Sequence, residues 1–283
     1  MRSCRTGNAR RTSGRCGRLG GVSVETEKGP DAPRTTERPG LELLAVLGIS
    51  YGMSGLYALL SFVRAQVVIN RGVGFGGVAT TINQAGKTQY EWLDVLDRLA
   101  DVLHGILPAF LAIVLLLRSP GGRGLGIGLD RLRGRELAHG AGFALLIGVP
   151  GLALVYFARR LGLNAQLVVV DFPDVWYRVP VLVLDAFQDG AAEEIIVCAF
   201  VLTRLRQMGW TNSRALAAGA VLRGSYHLYQ GYGGFVGNAV MGVVFGLWFQ
   251  RTRRIWPLVI AHFLIDAASF LGYVYLHDRV SWI

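Results

Sequence analysis

Long apolar segments are the feature that most constrains how this chain can fold. A scan in windows of about 19 residues finds seven of them, and 52% of all residues are hydrophobic. Such a segment crosses a bilayer as an α-helix, because a helix pairs its own backbone polar groups within the apolar core. We therefore predict an all-α transmembrane helix bundle of about seven spans, with a range of six to eight because two segments are short. The predicted spans cover residues 41–63, 98–117, 137–157, 179–203, 214–231, 234–250 and 255–276.

Basic residues decide the predicted orientation. The net charge is +10, but the arginines lie in connections beside the apolar segments, where the positive-inside rule accounts for them. We therefore expect no nucleic-acid partner and predict a multi-pass protein of the cell membrane, surrounded by lipids, with a cytoplasmic N-terminus. Residues 1–40 are rich in Arg, Gly, Thr and Pro and are predicted to be a disordered basic cytoplasmic tail. Residues 41–283 would then form a single transmembrane domain.

Ionisable side chains inside the later apolar segments indicate a functional site. A charged group near the bilayer centre costs roughly 2.5–3.5 kcal/mol on insertion scales, so such groups usually face a protein interior. The chain places Glu193 and Glu194 in one predicted span, His227 in the next, and His262 with Asp266 in the last. The earlier spans carry little such chemistry. We therefore interpret residues 41–160 as scaffold spans and residues 179–276 as the catalytic core.

Helix geometry predicts that these side chains meet at one depth. At about 1.5 Å per residue, Glu193, His227 and His262 lie roughly 12–20 Å from the nearest cytoplasmic arginines, close to the middle of the apolar layer. Adjacent helix positions point about 100° apart, so Glu193 and Glu194 are expected to have different roles. Residues four apart share a face, so His262 and Asp266 are expected to point into the same site.

Carboxylates combined with imidazoles are typical of proton transfer or metal binding. The alternative is that the histidines only form hydrogen bonds between packed helices. Asn238, in the segment GNAVMG, is a further polar candidate for the same cavity. Close packing of small residues from Gly233 to Gly246 is the alternative explanation of that segment.

Three short motifs resemble a known family when they are taken in order. They are EEIIVC at 193–198, RGSYH at 223–227 and HFLID at 262–266. Together they resemble the CPBP family of intramembrane proteases, which includes the CAAX prenyl endopeptidases and the Abi-type proteins. That family carries EExxxR, FxxxH and HxxxN or HxxxD motifs, and the resemblance covers residues 179–276.

The resemblance implies an intramembrane endopeptidase that hydrolyses a peptide bond in a membrane-bound peptide or protein. Glu193 would be the general base, His227 would help to hold and activate the attacking water, and His262 with Asp266 would stabilise the oxyanion. The resemblance leaves the metal open. Zinc held by Glu193, His227 and His262 is one alternative, and water activated by the same side chains without a metal is the other.

Two positions depart from the family pattern. Cys198 stands where the family has the arginine that pairs with Glu194, and Arg223 stands where the family has an aromatic residue. We expect Arg223, one helical turn before His227, to pair with Glu194 and restore the missing positive charge.

Two other functions would use the same residues. The first is a non-enzymatic membrane protein, such as an immunity or scaffold factor, that keeps the fold. The second is a proton-coupled transporter, for which intramembrane carboxylates and histidines are common. A transporter predicts an inverted repeat, and the uneven distribution of polar residues between the two halves of the chain disfavours it.

Overall fold

The computed structural model describes residues 38–69, 77–83, 90–119, 126–130, 132–170 and 173–279. These residues confirm the predicted all-α helical bundle. The helices are α1 (Pro39–Gly48), α2 (Tyr51–Ile69), α3 (Glu91–Arg118), α4 (Gly134–Arg160), α5 (Arg178–Glu193), α6 (Leu202–Gln207), α7 (Asn212–Tyr226), α8 (Tyr232–Thr252) and α9 (Trp256–Leu276). A π-helical segment, Glu194–Val201, joins α5 to α6 without a break, and a short 3₁₀ turn, Leu228–Gln230, precedes α8.

Every predicted span coincides with helical structure. Within the described residues, α3, α4, α8 and α9 are each long and apolar enough to cross a membrane, and α1 with α2 would add a fifth crossing with a bend of 51°. The first predicted span is therefore two helices rather than one. The helix α7 also ends at Tyr226, earlier than the predicted span to residue 231. The total number of crossings and the cytoplasmic N-terminus stay predictions.

The predicted tail lies mostly outside the described residues, which begin at residue 38. Its last two positions, Pro39 and Gly40, already belong to the first turn of α1. Proline suits this place, because its fixed φ fits a helix and the amide hydrogen that it lacks has no partner in a first turn.

A small parallel sheet was not predicted. Strand β1 (Ala79–Asn83) pairs with β2 (Gln166–Val170), with Ala79 opposite Gln166 and Asn83 opposite Val170. Both strands are rich in the β-branched residues that favour a pleated surface. The sheet links the connection that follows α2 to the one that follows α4.

Most of the buried core lies in the second half of the chain. All eight residues of the π-helical segment are buried. By contrast, only 6% of the most apolar window of α4 is buried, against 39% for α8. Apolar side chains exposed on a helix of this length fit contact with lipid.

Close contacts at two glycines bring the helices of the second half together. A Cβ atom at Gly190 of α5 would lie 2.9 Å from the backbone nitrogen of Phe263 in α9. A Cβ atom at Gly242 of α8 would lie 3.0 Å from the Cα of Ala220 in α7. The absence of a side chain at these positions lets α5 approach α9, and α8 approach α7, closely enough for their polar residues to meet.

Candidate active site

The two glutamates lie where α5 passes into the π-helical segment. Glu193 is the last residue of α5, and Glu194 is the first residue of the π-helical segment. Single turns of π-helix interrupting an α-helix are frequent at functional sites. Both carboxylates are buried, with Glu193 7% exposed and Glu194 fully enclosed. Buried carboxylates require polar partners, because an unpaired charge in an apolar interior is very costly.

Arg223 of α7 is the partner of both carboxylates. Its Nη1 lies 2.7 Å from Oε1 of Glu194, and its Nη2 lies 3.2 Å from Oε2 of Glu193. The guanidinium is fully buried and lies over the ring of Phe245. The expected pair of Arg223 with Glu194 is confirmed, and the same cation also reaches Glu193.

Cys198 is also in contact with the pair. Its thiol donates a hydrogen bond to Oε2 of Glu194 at 3.2 Å. A side chain four residues after Glu194 therefore reaches that carboxylate, as the arginine of the family motif would. The thiol is uncharged and only a weak donor, so the positive charge comes from Arg223 instead.

The two oxygens of Glu193 have different surroundings. Oε2 accepts a hydrogen bond from the hydroxyl of Tyr226 at 2.7 Å and lies beside Arg223. Oε1 instead faces Nε2 of His227 at 3.6 Å, which is longer than a direct hydrogen bond. One oxygen is thus held by a hydrogen bond from Tyr226 and an ion pair with Arg223, and the other faces the imidazole of His227.

His227 lies just beyond the end of α7. Its backbone nitrogen bonds to the carbonyl of Gly224, and its Nδ1 lies 3.3 Å from the side-chain amide nitrogen of Gln230. An amide nitrogen only donates, so this contact suits the tautomer that carries its proton on Nε2. That proton then points towards Glu193. Glu193 and His227 therefore lie close together, as predicted.

His262 and Asp266 lie on the other side of the glutamate pair. Nδ1 of His262 is 2.9 Å from Oε1 of Glu194 and 3.0 Å from Nη2 of Arg223. Its Nε2 is 3.3 Å from Oδ2 of Asp266, one turn later on α9. The predicted shared face of His262 and Asp266 is confirmed. Glu193 and Glu194 therefore have different imidazole partners, as adjacent helix positions should.

Asn238 uses its side chain on its own helix. Its amide donates a hydrogen bond to the carbonyl of Gly234, 3.0 Å away. Further along α8, a Cβ atom at Gly246 would lie 2.5 Å from Cδ1 of Leu216 in α7. These contacts favour the alternative explanation of the segment, in which small residues let α8 pack closely against α7.

In their present arrangement, Glu193, His227 and His262 do not form a zinc site. Among the described residues, no group of three or more His, Cys, Asp or Glu side chains is arranged to hold a metal ion. Nδ1 of His262 lies against the guanidinium of Arg223, and a second cation there would be repelled. Nε2 of the same ring faces Asp266. His262 therefore cannot join Glu193 and His227 as a ligand without leaving its present contacts.

Three polar residues near the site were not predicted. Tyr226 touches Glu193 directly. Asp185 and Asp189 lie two turns and one turn before Glu193 on α5, and both are partly buried. The four-residue spacing to Glu193 is a signal that identifies the two aspartates from the sequence. Tyr226 has no comparable signal, because tyrosine is common in membrane proteins.

Part of the chain matches a known protein family. Residues 175–268 match the family described as type II CAAX prenyl endopeptidase Rce1-like. The matched stretch contains all three motifs, from Glu193 to Asp266. No curated protein and no solved structure matches the chain.

Proposed function

We propose that the chain is an intramembrane endopeptidase, because its residues 175–268 match the Rce1-like CAAX prenyl endopeptidases and support its assignment to the CPBP family of CAAX proteases. Its substrate is a membrane-associated peptide or protein, and the cleaved bond is a peptide bond. The observation that carries this proposal is the approach of Oε1 of Glu193 to Nε2 of His227, 3.6 Å apart. A water molecule bound beside this pair, within hydrogen-bond reach of both atoms, would have Oε1 as its proton acceptor and Nε2 as a donor.

In the proposed reaction Glu193 is the general base. Its Oε1 takes a proton from the water while the water oxygen attacks the carbonyl carbon of the substrate. The proton then passes to the nitrogen of the leaving amine as the carbon–nitrogen bond breaks. His227 holds the water through Nε2. Glu193 does not act as a metal ligand in this scheme, and no step requires a metal.

The remaining polar residues stabilise charge. By the family resemblance, His262 with Asp266 stabilises the oxyanion, a contribution that is worth about 3–4 kcal/mol where it has been measured. Because Nδ1 of His262 is engaged by Glu194 and Arg223, the donor would be Nε2, which would have to turn from Oδ2 of Asp266, 3.3 Å away, to the oxyanion. Glu194 and Arg223 set the charge balance beside them. Their contacts at 2.7–3.0 Å with each other and with His262 support this assignment.

The apolar helices support a location of the protein in the membrane. The four apolar helices α3, α4, α8 and α9 support a multi-pass protein of the cell membrane in contact with lipids. The positive-inside rule supports a cytoplasmic N-terminus. The site residues lie in or directly beside apolar helices, so a substrate must itself enter or border the membrane to reach them.

The test compares the purified wild type with Glu193→Gln in detergent. Both proteins are incubated with membrane-tethered fluorogenic peptides, with and without a zinc chelator. We expect the wild type to cleave and Glu193→Gln to be inactive, and the chelator to have no effect. Glu91→Gln is the matched control, because Glu91 is an exposed carboxylate that bonds to Trp176 and is expected to leave cleavage unchanged.

Three outcomes would contradict the proposal. Cleavage by Glu193→Gln at the wild-type rate would exclude Glu193 as the base. Inhibition by the chelator, reversed by added zinc, would overturn the metal-free scheme. A folded wild type that cleaves nothing, together with an unchanged cellular phenotype of Glu193→Gln, would favour the non-enzymatic immunity or scaffold function.

A further inference from the structure

Tyr226 contacts the proposed base from a position that none of the three motifs assigns. It is the last residue of α7, directly before His227, and its side chain is buried. Its hydroxyl donates to Oε2 of Glu193 at 2.7 Å, which is the shortest contact described for that carboxylate. A hydrogen bond from a hydroxyl to a carboxylate is short and strong because the acceptor is charged.

One hydrogen-bond donor and one cation hold the same oxygen of Glu193. Tyr226 is at 2.7 Å from Oε2 and Arg223 is at 3.2 Å, while His227 is 3.6 Å from Oε1. Rotation of the carboxylate about its last side-chain bond would break both contacts at Oε2. The hydrogen bond and the ion pair therefore fix the plane of the carboxylate, so that its other oxygen stays turned towards His227.

The ring of Tyr226 is itself held by the scaffold. It stacks on the ring of Tyr51 in α2, with ring centroids 4.7 Å apart and an angle of 28° between the planes. One turn after Tyr51 on the same helix, a Cβ atom at Gly55 would lie 3.1 Å from Oγ of Ser225, so α2 and α7 are in close contact. An aromatic pair of this kind adds to stability beyond the burial of its area, which favours this position of the Tyr226 ring.

We propose that Tyr226 is a positioning residue for Glu193. Its hydroxyl occupies Oε2, so that Oε1 is the oxygen that faces the water and accepts its proton. The ring stack on Tyr51 keeps the hydroxyl in place. This inference rests on the proposed function, because it assigns a role within the same reaction. It makes α2 part of the support of the site, although α2 lies outside the matched segment.

The test is Tyr226→Phe, which removes the hydroxyl and keeps the ring. We expect kcat to fall about 10- to 100-fold, the equivalent of one lost hydrogen bond to a charged group. KM should stay within about twofold of the wild type, since Tyr226 makes no contact with the substrate in this scheme. Cleavage rates and thermal unfolding are measured on the same preparations.

Tyr177→Phe is the matched control. Tyr177 is also buried, and its hydroxyl also donates to a carboxylate, Oδ2 of Asp94, at 2.9 Å. Tyr177 belongs to an apolar cluster that does not include the glutamates. The control therefore loses the same type of bond without changing the site, and we expect its kcat to equal that of the wild type.

The outcomes separate this inference from the proposed function. If the wild type cleaves and Glu193→Gln does not, a wild-type kcat in Tyr226→Phe overturns the role of Tyr226 alone. An effect on KM only, or an equal loss of kcat in Tyr226→Phe and Tyr177→Phe, overturns it as well. A wild type without any cleavage rejects the proposed function and the role of Tyr226 with it.

Discussion

Replacement of Arg223 by methionine is expected to destabilise the protein more than any other single change in the site. Methionine keeps much of the side-chain length and removes the charge. Arg223 is fully buried and is the cation that lies between two carboxylates, at 2.7 Å from Glu194 and 3.2 Å from Glu193. Arg223→Met would leave both carboxylates in an apolar interior without their positive partner.

The distances from Arg223 to the two carboxylates give the size of the expected loss of stability. At an effective dielectric constant of about 20, each contact near 3 Å is an attraction of about 5–6 kcal/mol before the cost of desolvation. Removing one member of a buried ion pair costs about 3–5 kcal/mol of stability in practice. Glu194→Gln should cost less, about 1–3 kcal/mol, because Arg223 then keeps Glu193 as its partner.

The assay is reversible unfolding of the purified proteins in mixed micelles, followed by circular dichroism. The expected order of stability is wild type, then Glu194→Gln, then Arg223→Met. The reasoning would be refuted if Arg223→Met were as stable as the wild type, or more stable than Glu194→Gln. Either result would mean that the guanidinium does not compensate the two carboxylates.

A second replacement tests whether the cation can be moved. Cys198→Arg combined with Arg223→Phe places the guanidinium four residues after Glu194, where the thiol of Cys198 already touches that carboxylate at 3.2 Å. We expect this double variant to be more stable than Cys198→Ala combined with Arg223→Phe, which has no cation at either position. Equal stability of the two double variants would contradict the idea that Arg223 replaces the arginine of the family motif.

Two further predictions concern packing. Gly190→Ala should lower stability by about 1–3 kcal/mol and reduce cleavage, because the new Cβ would lie 2.9 Å from the backbone of Phe263 and force α5 away from α9. Gly142→Ala, where nothing lies within 4 Å, is its control in thermal unfolding and should be neutral or stabilising. Asn238→Ala should keep the wild-type cleavage rate, because its amide bonds to Gly234 of its own helix; a strong loss of activity would place Asn238 in the reaction after all.

The helices were predictable because a long apolar segment has few alternatives in lipid. All seven predicted spans coincide with helical structure. Their interruptions were not predictable, since these depend on local hydrogen bonds. The bend between α1 and α2 lies at Ile49–Ser50, next to Gly48 and Gly52, and such glycine and serine neighbours favour kinks. The apolar pattern of residues 194–201 does not distinguish a π-helix from an α-helix.

The polar members of the site were predictable because ionisable residues are rare in apolar segments. That rarity identified Glu193, Glu194, His227, His262 and Asp266, and the structure brings them together with Arg223. It could not identify Tyr226, whose importance rests on one distance. The sequence also could not decide whether Asn238 belongs to the site, because an asparagine amide can form hydrogen bonds either within its own helix or across a cavity.

The arginine that balances the glutamates is encoded on a later helix than the glutamates themselves. On the ribosome α5 is completed before α7, so the two carboxylates reach the membrane before their cation exists. An ionisable group in that state costs roughly 2.5–3.5 kcal/mol on insertion scales. If α5 is a span, as the sequence predicts, a nascent chain truncated after α6 should insert α5 poorly, and a chain extended through α7 should insert it fully, as glycosylation mapping would show. The order of synthesis makes α7 the helix that completes the assembly of α5.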